Sequence, residues 1–226
     1  MIAAMNQPSS GRAAPPITLL WITPLRALAS DTLESLRQPI EDGVVNISRA
    51  AAKAQFPCEF NLVAATNPCP CGYFGTADCR CKENEVRKYL SKISGPILDR
   101  IDLQVELQAL TTQQRMAPPI PDQSRRLRAK VQKARDKQQE RTKDTGIYCN
   151  TTIPGGQTFD YCHFAPDAIE HFTAVIEKHK VSTRSTNRLA KVARTVADLN
   201  DADKIDTPHV DEAAQFVIGG MFRDFF

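Results

Sequence analysis

Four thiols are set in one short stretch of this chain. Cys69, Cys71, Cys79 and Cys81 form two C-x-C pairs with seven residues between them. A C-x-C pair aims both sulfurs at one centre when the backbone turns between them, and Pro70, Gly72 and Gly75 make such turns at low cost. Four thiolates around a tetrahedral ion form the closed arrangement of a structural zinc site, with no position left for catalysis. The usual zinc spacing is C-x2-C, so two further readings stand beside zinc: two disulfides, or four free thiols in a reducing compartment. Cys58, Cys149 and Cys162 lie outside the cluster.

The residues around the cysteines must position them. Phe60 to Thr66, FNLVAAT, is a short apolar run that fits a buried strand, and Asn67 sits where it ends. A helix is predicted over Glu83 to Ser94. The turn Gly95-Pro96 then leads through Leu98-Asp99-Arg100 to a strand pattern, Ile101, Leu103, Val105, Leu107. Upstream, Ile17 to Ile22 and Val44 to Ile47 read as strands and Ala27 to Leu36 as a helix. Downstream, three helices are predicted over Pro166–Lys178, Thr183–Leu199 and Thr207–Phe216, the last with Thr207 as N-cap and Pro208 at N1.

The whole chain agrees with a folded protein. At 226 residues, with 42% hydrophobic and 24% charged residues, it can build one large or two small domains. No apolar run approaches the ~18 residues of a membrane span, so no membrane partner is expected. No signal-like N-terminus is visible, and seven cysteines, an odd number, argue against a disulfide framework, so the expected compartment is the cytoplasm.

The net charge of +3 is unevenly spread. Ser124 to Lys143 carries nine Lys or Arg against two acids, which leaves the rest of the chain net negative. This run has no Gly or Pro, and Leu127, Val131 and Ala134 give it a narrow apolar stripe. Arg125, Arg126, Arg128 and Lys130 are candidates for contact with nucleic-acid phosphates, against the alternative of a simply solvated face. The run lacks an aromatic for base stacking.

These features divide the chain into a disordered N-terminus (1–16), a strand-helix segment (17–40), and an α/β part (41–109) carrying the cysteine insertion 69–81. A linker (110–123) and a helical C-terminal domain (124–226) follow. Asn67-Pro-Cys-Pro-Cys-Gly72, the second cysteine pair, Ser94-Gly-Pro-Ile-Leu-Asp-Arg-Ile-Asp-Leu103 and Ser182 to Leu199 together resemble the magnesium-chelatase-like AAA+ ATPases of the ComM/YifB group. The resemblance covers the C-terminal half of those proteins, over about residues 33–215. It implies a partial AAA+ core of parallel strands and helices, followed by a helical lid. It also implies ATP and magnesium as cofactors of the intact family, a homo-oligomeric ring, expected to be a hexamer, and single-stranded or branched DNA as partner. Asn67 matches the sensor-1 position, and Arg100 the arginine finger acting on a neighbouring subunit's nucleotide. Arg184 matches the sensor-2 position, with Arg188 and Arg194 further along the same helix. Turn formation by Asn67, and a local pair of Arg100 with Asp99 or Asp102, are the simpler alternatives. The cysteine insertion points to the ComM branch rather than to a chelatase acting on porphyrin.

The departures from that family are equally specific. No G-x-x-x-x-G-K-[ST] occurs, so no loop cradles phosphates. Counting back from Leu33, the family's Asp-Glu pair falls on Thr23 and Pro24, which can neither hold magnesium nor act as a base. Residues 16–39 also resemble the TPLRALA segment of Lhr-type superfamily 2 DNA helicases. The expectation is therefore a truncated or fused ATPase that does not turn over ATP alone. The alternatives are a non-catalytic, zinc-stabilised module that binds DNA or a ring, and a non-functional gene fragment.

Overall fold

The computed structural model describes residues 20–24, 34–49, 52–58 and 60–219. The predicted disorder of 1–16, the start of the first strand and most of the helix Ala27–Leu36 lie outside them. The fold is mixed α/β, with a small amount of sheet and a helical C-terminal region, and the chain divides after Ile101 into two compact units.

The four strands among the described residues all lie in the first unit. β1 (Leu20–Pro24) pairs in parallel with β4 (Asn61–Ala65), in register Leu20 to Asn61 and Pro24 to Ala65. Parallel neighbours need a crossover between them, and here the intervening chain carries helix α1 (Arg37–Asp42) and an antiparallel hairpin, β2 (Val44–Arg49) with β3 (Ala52–Pro57). Gly43, at φ 65°, closes α1 in the left-handed region and turns the chain into β2. β3 was not evident in the sequence, where Ala-Lys-Ala-Gln carries little β-branched or aromatic signal.

After β4 comes the cysteine loop, then α2 (Glu83–Leu90) and a single helical turn, α3 (Gly95–Leu98). Val86 and Leu90 of α2, Ile93 of the following turn and Ile97 of α3 are buried. The helix predicted to Ser94 stops at Leu90, and Ser91 caps it by donating its N–H to the Arg87 carbonyl.

The strand predicted over Ile101–Leu107 is not formed. Leu103, Val105 and Leu107 are 50, 62 and 88% exposed, and the segment's recorded backbone bond runs from Gln104 N–H to the Phe216 carbonyl at 2.9 Å. An alternating pattern makes a strand only where a ladder partner and a covering layer exist, and neither is supplied among the described residues.

The second unit is a helical bundle. The linker contains a short helix, α4 (Thr112–Met116), capped by Thr111. α5 (Gln123–Arg141) is the basic helix, and two 3-10 turns and α6 (Thr158–Tyr161) lead into α7 (Pro166–His179), α8 (Thr183–Leu199) and α9 (Thr207–Val217). The last three match the predicted helices to within a residue. Asp206, not Thr207, is the N-cap of α9, and His209 Nδ1 accepts its N–H at 2.9 Å. Phe172, Leu189, Ala190, Ala193, Ala197, Ile205, Val210 and Ala213 form the core, with Phe164 packed against it.

Candidate metal centre and nucleotide-reading residues

The chain leaves β4 at Ala65 and turns three times before α2. Gly72 N–H bonds the Cys69 carbonyl at 3.1 Å, Thr76 N–H the Tyr73 carbonyl at 3.0 Å, and Cys79 N–H the Thr76 carbonyl at 3.2 Å. Gly72 and Gly75 both adopt φ 84°, a conformation that L side chains rarely take. The Thr76 hydroxyl fastens the middle turn by donating to the Tyr73 carbonyl at 2.8 Å.

These turns bring four sulfurs together. The ligand atoms of Cys69, Cys71, Cys79 and Cys81 all lie within 4.8 Å of one another. Cys69 Sγ is 3.3 Å from Cys71 Sγ and 4.0 Å from Cys79 Sγ, and Cys71 Sγ is 3.7 Å from Cys79 Sγ. A tetrahedral ion with Zn–S bonds of ~2.3 Å holds its sulfurs about 3.8 Å apart, so the spacing suits one such ion. All seven cysteines of the chain are free thiols, and Cys58, Cys149 and Cys162 stand outside the cluster.

Backbone donors and mutual crowding act on Cys71, Cys79 and Cys81 in opposite senses. Backbone N–H groups of Arg80 and Tyr73 point at Cys71 and bring its thiol down to about 6. Cys81 receives the Cys71 N–H, yet burial and the crowding of Cys71 and Cys69 push it up to about 12. Cys79 receives the Cys81 N–H and is likewise raised by burial and by Cys71 and Cys69. Four negative sulfurs at this spacing repel unless a cation sits among them, and one dication serves all four. A cluster with every position filled by sulfur supplies folding free energy rather than chemistry.

Asn67 stands two residues beyond β4, exposed, with its backbone carbonyl accepting from the Thr66 hydroxyl at 3.2 Å. Arg100 follows α3, and its side chain is 8% exposed. Its Nη1 donates to the Pro96 carbonyl at 2.7 Å and its Nη2 pairs with Glu41 of α1, rather than with Asp99 or Asp102. Its Nε is buried without a partner among the described residues. Arg184 lies in the other unit, as the second residue of α8, and is exposed.

Arg194, further along the same helix, is fully buried. It donates to Asp198 at 3.1 Å and to the carbonyls of Asp203 and Ala202 at 2.8 and 2.6 Å. The basic helix divides likewise. Lys133, Lys137 and Arg141 pair with Asp201 and Asp198 of their own unit, whereas Arg126, Arg128 and Lys130 are exposed and Arg125 makes a solvent-facing pair with Asp122 at 3.4 Å. Leu127 and Val131 are also exposed, so only the Ala134 end of the predicted apolar stripe is buried.

Two family matches cover nearly the whole chain: magnesium chelatase subunit ChlI over residues 2–115, and the ChlI C-terminal region over residues 121–217. The first takes in residues 16–39, so the segment that also resembles Lhr-type helicases falls inside the chelatase match. The competence protein ComM of Haemophilus influenzae is 35% identical over 86% of this chain and 38% of its own length. YifB of Salmonella typhimurium is 32% identical over 88% of this chain and 38% of its own length, and YifB of Escherichia coli is 31% identical over the same shares. The chain thus spans about two fifths of these relatives, and among the described residues no helix is long and apolar enough to cross a membrane. With the first match covering the cysteine cluster and Arg100 and the second covering Arg184, the chain belongs to the magnesium chelatase ChlI family, with ComM and YifB among its relatives.

Proposed function

We propose that this polypeptide is the nucleotide-reading part of a ComM-like AAA+ ATPase, a cytoplasmic ring-forming motor that moves along single-stranded or branched DNA during uptake and recombination. The observation that carries this reading is an asymmetry across the two family matches. Residues at the positions that sense a γ-phosphate, Asn67, Arg100 and Arg184, are present, while no glycine-rich loop with its lysine occurs and the acid pair is replaced by Thr23 and Pro24. The parallel pairing of β1 with β4 supports it, because it sets the Thr23-Pro24 strand end beside the end that leads to Asn67.

In this reading Asn67 orients the attacking water, Arg184 contacts nucleotide within its own chain, and Arg100 reaches the nucleotide of a neighbour. A guanidinium suits both arginine tasks, since it is always charged and presents a planar fork to phosphate oxygens. Cys69, Cys71, Cys79 and Cys81 hold a structural zinc that fixes the loop following Asn67. Arg125, Arg126, Arg128 and Lys130 offer an exposed cationic face to DNA. Each nucleotide reader acts only when other groups hold the triphosphate and its magnesium, so the chain alone binds ATP in the millimolar range or weaker and does not turn it over.

Titration with magnesium–ATP and a phosphate-release assay test this. Hydrolysis by the isolated chain that disappears in Arg184→Ala would show that the phosphate-holding half is present after all.

A further inference from the structure

The first unit has a second feature beside the cysteines. An open hollow of about 600 Å³ is lined by Cys71 and Cys81 of the cluster, by Arg80 between the thiols, by Lys88 and Tyr89 of α2, and by Lys92 in the turn after it. The three cations reach it from separate places, Arg80 from the cysteine loop, Lys88 from α2 and Lys92 from the turn that follows α2. Among the described residues no ion pair engages any of them. Their neighbour Arg87, by contrast, is held by Glu83 at 3.0 Å. The single acid of the lining, Glu85, accepts the Lys82 N–H at 2.8 Å and so caps α2.

The hollow also has aromatic surface. Tyr89 is half-buried in its wall, and Tyr73 and Phe74 are exposed at the tip of the same cysteine loop, 55 and 38% accessible. Unpaired cations interleaved with aromatic faces are the two ingredients of a single-strand nucleic-acid site. The cations track phosphates, and the rings accept any base by stacking. The basic helix α5 has the first ingredient and not the second, since Gln123–Arg141 contains no aromatic residue.

The geometry points to the cysteine loop and the end of α2 as a docking surface for single-stranded nucleic acid, with phosphates on Arg80, Lys88 and Lys92 and a base stacked on Tyr89. This rests on the reading of the chain as part of a DNA motor, and it names the part that touches the strand. The rival role for the three cations is to balance the net negative charge of a metal held by four thiolates.

Fluorescence anisotropy of a labelled oligo-deoxythymidine with the full zinc-loaded chain separates these. Lys88→Gln/Lys92→Gln is expected to weaken binding and to lower the log–log salt slope by about 1.4, with ~0.7 from each lost single-strand phosphate contact. Tyr89→Leu is expected to weaken it at least about fivefold. Zinc content by elemental analysis should stay at the parent level in both variants. Unchanged affinity and slope overturn the proposal, and so does a loss of binding that tracks loss of zinc. Hydrogen exchange of the unaltered chain gives a reading that needs no variant. Slowing across residues 80–92 on adding the oligonucleotide supports the site, and slowing confined to residues 123–141 transfers the contact to α5 and overturns it. ATP plays no part in either measurement, so the proposal can fail while the nucleotide-reading assignment stands.

Discussion

Arg194 and Asp198 meet inside the helical unit one turn apart on α8, with neither side chain exposed to solvent. Asp198 also accepts from Arg141 of α5 and, at 2.9 Å, from the Asn150 side chain. One carboxylate thus ties α8 to α5 and to the 3-10 turn at Asn150–Thr152, while Arg194 satisfies two carbonyls of the loop before α9. A buried pair of this kind costs desolvation to form, and its loss on one side leaves a charge with no partner.

Asp198→Ala is therefore expected to destabilise the protein by about 3–5 kcal/mol, by stranding Arg194 and Arg141. Urea unfolding followed by circular dichroism measures it. The double variant Asp198→Leu/Arg194→Met should lose less than the sum of the single losses, because the pair is removed together. Strict additivity would mean that the two side chains do not act as a unit.

The cysteine loop should bind one zinc ion per chain when the protein is made in zinc-replete, reducing conditions. Cys79→Ser/Cys81→Ser should abolish it, whereas serine at Cys58, Cys149 and Cys162 should leave it intact. Binding requires the raised thiols of Cys79 and Cys81 to lose their protons, so affinity should fall as pH is lowered. Elemental analysis and a competing chelator read both points, and full zinc content in the double variant would exclude the four-sulfur site.

Glu41 holds Arg100 in its present place, so a role for Arg100 on a neighbour's nucleotide requires that pair to open. Mixed with an intact ComM homologue, the chain is expected to change the homologue's ATPase rate, and Arg100→Ala should remove the change. Glu41→Gln should enlarge it by freeing the guanidinium. If Arg100→Ala alters the homologue's rate as much as the parent chain does, Arg100 is a structural ion-pair partner and nothing more.

Hydrogen bonds from Lys133 and Lys137 bring the Asp201 carboxyl down to about 2, from its ordinary 3.8. A carboxyl held below its unfolded value stabilises the fold fully above that value, and the contribution disappears as pH falls through about 2. Asp201→Asn should therefore have a lower melting temperature than the parent at pH 6, and the gap should close by pH 2. The effect should be small, since the side chain is half exposed. A gap independent of pH would assign the loss to something other than charge.

Much of this was legible from local sequence. The bounds of α7, α8 and α9 follow from helical periodicity, a serine cap and a proline at the start, all signals contained within each segment. The four thiols were legible for the same reason, because their own turns bring them together. What the sequence did not disclose depended on partners distant in the chain. The charge on Arg194 looks like surface until Asp198, Ala202 and Asp203 surround it. The strand pattern of Ile101–Leu107 names a face without supplying a neighbour, and the end of α2 becomes a cationic hollow only when Arg80 arrives from the cysteine loop.

The exposed row Leu103, Val105, Leu107 bears on how the protein behaves in a test tube. Three exposed apolar side chains on a segment with no ladder partner among the described residues are an adhesive for any other strand edge, including the same segment of another molecule. Asp102 and Glu106, at alternate positions, put like charges where such segments would stack, and this repulsion reaches only a Debye length. Solutions should accordingly turn cloudy sooner as salt and protein concentration rise. Leu107→Lys, at the most exposed of the three positions, should keep them clear.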